Sequence, residues 1–177
     1  MASSTAISVE EYLHTSYEPD CDYVEGELVE RNVGEYKHSL LQLTLGVYLY
    51  RVARPLGARV VTELRMRISP TRFRIPDLTV MLRSQPLESV PTHPPFLCVE
   101  IVSPDDRMSH IIERIKEYLA FGVNHVWVVD PASRTAYSYT SEEGREVRDR
   151  LTTQNPEISI SLAELFAELD ETLREEA

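Results

Sequence analysis

The spacing of hydrophobic positions changes several times along this chain, and each change predicts a different element. Across residues 36–54 no proline intervenes, and Leu40, Leu41, Val47 and Tyr48 recur at helical spacing until Pro55-Leu56-Gly57 stops the helix. Residues 60–68 alternate as one half-buried strand, with Leu64, Met66 and Ile68 against Glu63, Arg65 and Arg67. Ser69-Pro70-Thr71 turns the chain into a short apolar stretch, Ile75-Pro76-Asp77-Leu78-Thr79-Val80-Met81-Leu82. A loop with Pro86, Pro91, Pro94 and Pro95 leads to residues 96–102, an apolar run of the length of a strand buried on both faces. A helix over residues 107–121 follows, with Gly122 as its stop, and residues 124–130 form another buried strand closed by Pro131.

Simpler signals mark the ends. Ser8-Val9-Glu10-Glu11 and Ser161-Leu162-Ala163-Glu164 are capping boxes, and the second opens a helix with Leu162, Leu165, Phe166 and Leu169 on one face. Residues 23–30 alternate around Gly26 as a hairpin, and residues 135–140 and 146–151 predict another across Glu142-Glu143-Gly144. The central order is helix, three strands, helix, strand. The expectation is one α/β domain over residues 1–177, a mixed sheet with helices, an N-terminal hairpin and a C-terminal helix.

Composition narrows the class. A hydrophobic fraction of 42% and a charged fraction of 27% are ordinary for a soluble globular protein. No stretch approaches the ~20 apolar residues of a membrane span, and no basic-then-apolar leader is visible. Cys21 and Cys98 form no CxxC pair, as expected of reduced thiols in a cytoplasmic protein, and Cys98, His93, His110 and His125 lack the spacing of a zinc site. The net charge is -11, yet residues 31–83 carry ten Lys or Arg against three acids. Within that block Arg65, Arg67, Arg72 and Arg74 are candidates to bind a phosphate backbone.

The chemistry centres on two acids in apolar surroundings. Glu100 lies inside Phe96-Leu97-Cys98-Val99-Glu100-Ile101-Val102, where a carboxylate costs several kcal/mol unless something compensates it. Asp77 lies in the preceding strand-like run, so neighbouring strands can present both carboxylates to one ion. Two such oxygens with a backbone carbonyl and waters suit Mg²⁺ or Mn²⁺. A positive group is also needed, and Lys116 is the candidate. At roughly 100° per residue it lies about 90° from the stripe of Met108, Ile111, Ile112, Ile115 and Leu119, while Arg114 and Glu117 point into solvent.

Pro76-Asp77, Glu100-Ile101-Val102-Ser103-Pro104, Lys116 with Tyr118, Phe121-Gly122-Val123, Trp127 and Asp130-Pro131 together resemble the Uma-two family of the PD-(D/E)XK restriction-endonuclease-like superfamily. Gly26-Glu27-Leu28 followed by His38 resembles its N-terminal pattern. The resemblance implies a helix–three strands–helix–strand core and metal-dependent hydrolysis of nucleic-acid phosphodiesters, DNA ahead of RNA. Asp77, Glu100 and the Ile101 carbonyl would hold the ion, with Lys116 beside the attacking water. The superfamily pattern places a lysine two residues after the strand Glu, where this chain has Val102, so Lys116 from the next helix takes that part. His38, Glu27 and Glu63 are accessory candidates. A homodimer is expected, built on the C-terminal helix and the hairpins. The other readings are an inactive nuclease-fold binding or scaffold protein and a hydrolase of small phosphoesters.

Overall fold

The computed structural model of the chain describes residues 6–31 and 35–174. Helix α1 (Val9–His14) starts where the Glu11 amide donates to the Ser8 hydroxyl at 3.0 Å. Strands β1 (Cys21–Val24) and β2 (Glu27–Glu30) form the N-terminal hairpin. Its turn residues Glu25 and Gly26 have φ of 52° and 93°, the left-handed backbone that a two-residue hairpin loop requires. The long helix α2 (Tyr36–Ala53) ends in a 3₁₀ turn at Arg54–Leu56.

Four short strands follow: β3 (Arg59–Thr62), β4 (Met66–Ser69), β5 (Arg72–Arg74) and β6 (Leu78–Met81). Next come β7 (Leu97–Ile101), α3 (Met108–Phe121) and β8 (His125–Asp130). The chain closes with β9 (Thr135–Tyr139), β10 (Gly144–Val147), β11 (Arg150–Thr152), β12 (Ser159–Ser161) and α4 (Leu162–Arg174).

The main sheet has the order β10-β9-β8-β7-β6-β3, a smaller one the order β2-β1-β5-β4, and β11 pairs with β12. In the main sheet β7 and β8 are parallel and α3 joins them, since parallel neighbours need a crossover; its other pairs are antiparallel. The mixed sheet, the two long helices and the helix–strand order agree with the sequence expectation. Two segments differ. Residues 60–68 are not one strand, because Glu63 takes φ 49° and breaks the run. The first half, β3, stays in the main sheet beside β6, while β4 leaves to pair with β5. The turn at residues 69–71 therefore leads into β5 and reaches Asp77 only afterwards. The predicted hairpin over 135–151 likewise ends at Val147, and β11 turns away to β12.

Alternation along the central strands decides which side each residue serves. Leu97, Val99 and Ile101 of β7 and Leu78 and Val80 of β6 join Leu41, Leu45 and Leu49 of α2 and Leu165 and Leu169 of α4 in one core. Cys98 of β7 and Val126 and Val128 of β8 face the other way, onto Ile111, Ile115 and Tyr118 of α3 and Met66 of β4. Glu100, two residues beyond Cys98, shares the α3 side. The apolar face of α4 that was expected to serve a dimer is thus spent on α2.

His125 is buried at the start of β8 beside the Phe96 ring. Burial pulls its pKa below 6.5, and the Gln154 carbonyl only partly offsets this. The unfolded chain then binds the extra proton more readily. The stability His125 contributes is full above pH 6.5 and falls as the pH drops below it. His125→Phe should lose this component, so that its melting temperature falls less than wild type between pH 8 and pH 5.

Candidate active site

Strand register brings the two sequence-predicted acids together. Leu78 stands opposite Val99 and Thr79 opposite Cys98, so one step further along the antiparallel pair sets Asp77 beside Glu100 on the α3 side. Both are buried, at 3% exposure each. The Ile101 amide donates to Asp77 Oδ2 at 2.6 Å, and the Asp77 carbonyl accepts from Gln42 Nε2 at 3.0 Å and the Glu63 amide at 3.2 Å. These contacts hold Asp77 to β7, α2 and β3.

Each carboxylate has a guanidinium partner. Arg31, just after β2, donates to Asp77 Oδ1 at 2.7 Å, and His38 Nε2 lies 3.4 Å from Oδ2. Arg114 of α3 lies 3.1 Å from Glu100 Oε2 and reaches Asp106 at 3.6 Å. The Tyr118 hydroxyl donates to Glu100 Oε1 at 2.6 Å. Asp106 is held by its own loop, where Oδ2 accepts from the Ser103 amide at 2.8 Å. Arg31, His38, Asp77, Glu100, Ile101, Ser103, Asp106 and Arg114 enclose a cavity of about 20 Å³, room for one water or small ion.

The electrostatics of the two acids diverge. Burial, the largest influence, pushes Glu100 up to about 7; the Asp77 charge adds to it, and Arg114 and Tyr118 oppose it. Burial would raise Asp77 as well, but His38, the Arg31 charge and the Ile101 amide together hold it below the usual carboxylate value. His38 is raised above 6.5, because Asp77 outweighs the effect of its burial.

The rotation of α3 corrects the helical-wheel reading. Ile111, Ile115 and Tyr118 are its buried residues, while Met108 and Ile112 are 56% and 42% exposed. That stripe sits about 50° from the one drawn without Tyr118, enough to bring Arg114 onto Glu100 and leave Lys116 exposed, outside the cavity lining. Glu117 does not point into solvent either. It pairs with Arg72 and accepts from Arg74 Nε at 2.6 Å, and Arg74 also reaches Asp22 at 2.8 Å.

The predicted phosphate-binding arginines are largely engaged within the protein. Besides Arg72 and Arg74, Arg67 donates to the Pro70 carbonyl at 2.9 Å and Arg65 lies over the Tyr12 ring at 4.6 Å. Among the accessory candidates, His38 is at the site, whereas the side chains of Glu27 and Glu63 are exposed. Arg31 and Asp106 were not among the sequence candidates, and Arg114 was expected in solvent. Counting Tyr118 as a buried face residue would have found Arg114, three and four positions from Ile111 and Tyr118.

Residues 9–173 match the Uma2 family, whose description is "Putative restriction endonuclease". The chain belongs to that family. The Uma2 chain is also similar to a solved structure described as "a putative nuclease belonging to DUF820" from Anabaena variabilis, with a TM-score of 0.81 and 25% identity over 92% of this chain and 99% of that one. It shares the nuclease-like fold. A weaker likeness, with a TM-score of 0.44 and 20% identity, joins 75% of this chain to 11% of a chain in the DrdV–DNA complex. No curated protein matches. Among the described residues no helix is long and apolar enough to cross a membrane.

Divalent metals are general in restriction-endonuclease-like proteins. The Uma2 chain's donors fit a hard, partly hydrated ion, because Asp77, Glu100, Ile101 and Asp106 offer oxygens around one small cavity. Among the described residues no three His, Cys, Asp or Glu side chains form a ready cage.

Arg74 is 4% exposed between Asp22 and Glu117, so Arg74→Met leaves buried Asp22 without its ion-pair partner, while Glu117 keeps Arg72. It should cost roughly 3–5 kcal/mol in urea unfolding. Lys116→Ala should stay within about 0.5 kcal/mol of wild type in the same measurement.

Proposed function

We propose that this Uma2 protein is a metal-dependent endonuclease that hydrolyses nucleic-acid phosphodiester bonds, DNA ahead of RNA. The observation that carries the reading is the placement of Asp77 and Glu100 side by side on adjacent strands, buried and on one face. Asp77, Glu100 and the Ile101 carbonyl would hold Mg²⁺ or Mn²⁺. Bound there, such an ion lowers the pKa of a water and offsets charge on a phosphoryl oxygen.

The chain's own residues do the rest. Arg114 takes the part first given to Lys116, since it reaches Glu100 while Lys116 is exposed. Its guanidinium stabilises negative charge developing on the phosphate. His38 and the Ile101 amide orient Asp77, and Tyr118 orients Glu100. A cleft of about 480 Å³ shares Asp106 and Arg114 with the small cavity; Arg107 and His110 line it together with Asp22, Glu30, Asp105 and Glu113, and it is the proposed approach to the site.

Plasmid or single-stranded DNA with Mn²⁺ should be cut by wild type. Asp77→Asn and Glu100→Gln should each lower the rate by about two orders of magnitude or more. Lys116→Ala should keep most of the activity; an inactive Lys116→Ala that still folds would return the role to that lysine.

One observation favours a second reading, an inactive nuclease-fold scaffold: arginines already neutralise both carboxylates. A scaffold would bind no Mn²⁺ in calorimetry. The two cysteines are buried and free, which suits a reducing cytoplasm. For the homodimer, the surface is now the outer side of α2, where Leu43 and Tyr50 are 65% and 50% exposed. Leu43→Lys should shift a wild-type dimer to monomer in gel filtration.

A further inference from the structure

Oδ2 of Asp77 is committed to the framework, through the Ile101 amide at 2.6 Å and His38 at 3.4 Å. Oδ1 is the oxygen a cation can approach, and Arg31 stands on it at 2.7 Å. We propose that Arg31 is a displaceable counterion: a divalent cation evicts its guanidinium from Asp77, and the freed guanidinium takes the substrate phosphate. The inference rests on the metal-nuclease reading and adds to it a residue for which metal and phosphate compete.

Charge demands that something move. Asp77, Glu100 and Asp106 are matched against Arg31 and Arg114, so a dication entering beside both guanidiniums would turn a net negative site into one with an uncompensated positive charge.

The two arginines are not equally placed to leave. Arg114 springs from a core helix and has Asp106 at 3.6 Å as a second acid, so it keeps a partner while giving up Glu100. Among the described residues the Arg31 side chain is bonded to Asp77 alone. It sits just beyond β2, an outer strand of the small sheet with Glu27, Val29 and Glu30 exposed. A guanidinium that leaves a carboxylate suits a phosphate, which offers the same forked pair of acceptors. Metal and nucleic acid then assist each other. The metal frees Arg31, and the phosphate keeps it from returning to Asp77.

The test is Mn²⁺ calorimetry with and without a short phosphorothioate duplex, chosen so that cutting is slow during the titration. Arg31→Gln keeps a hydrogen-bond donor for Asp77 and removes the charge; Arg31→Lys keeps the charge. Wild type should bind Mn²⁺ weakly alone and about tenfold or more tightly with the duplex. Arg31→Gln should bind Mn²⁺ more tightly than wild type without the duplex and gain little from it, with Arg31→Lys near wild type. Thermal melting adds a check, since Mn²⁺ should raise the midpoint of Arg31→Gln more than that of wild type.

Arg31→Gln binding Mn²⁺ no more tightly than wild type, or gaining as much from the duplex, overturns the proposal. In that case Mn²⁺ binding that Asp77→Asn abolishes leaves the nuclease reading standing. Absence of Mn²⁺ binding in wild type and both variants ends both readings.

Discussion

Asp77 and Glu100, both buried, repel each other across neighbouring strands, and much of the architecture around them answers that repulsion. Five groups converge on two carboxylates: Arg31, His38 and the Ile101 amide on one, Arg114 and Tyr118 on the other. They come from the hairpin exit, α2, β7 and α3, so electrostatic balance at the sheet end ties separate parts of the fold together. The cost shows in α3, which buries Tyr118 and Arg114 toward Glu100 and leaves Met108 and Ile112 exposed. A second ionic group pins the same helix from its other flank, where Glu117 meets Arg72 and Arg74, and Arg74 meets Asp22 of β1.

Periodicity made the framework legible. Helices α2 and α3 and strands β7 and β8 emerge within a residue or two of their expected ends, because each runs without a breaker and is closed by Gly or Pro. Glycine at position 122 shows why such a stop is reliable: its φ of 108° suits a residue without Cβ. The acids at 77 and 100 were legible for a related reason, since a charge inside an apolar run needs an explanation. Glu63 was not. Its alternating neighbours satisfy the strand pattern on both sides, and nothing local announces that an ordinary residue will adopt a left-handed backbone and send β4 to another sheet.

The basic block misled for an instructive reason. Ten cations against three acids suggested a face for phosphate, but the acids that answer Arg72 and Arg74 lie outside the block, at Asp22, Glu25 and Glu117. Charge counted along the chain says little about charge in space once two sheets and a helix interleave. A similar limit hid Arg31, whose partner is 46 residues away in sequence. Its role depends on the small sheet docking beside the main one, and local pattern carries no trace of that.

The outer strands have a consequence for association. Strand β2 ends the small sheet with Glu27 and Glu30 exposed, and β10 ends the main sheet with Arg145 and Glu146 exposed. Charged edges resist the addition of further strands, because a new neighbour would bring its backbone against solvated side chains. Those two edges are therefore guarded against growing by sheet extension, the route by which open sheets form fibrils.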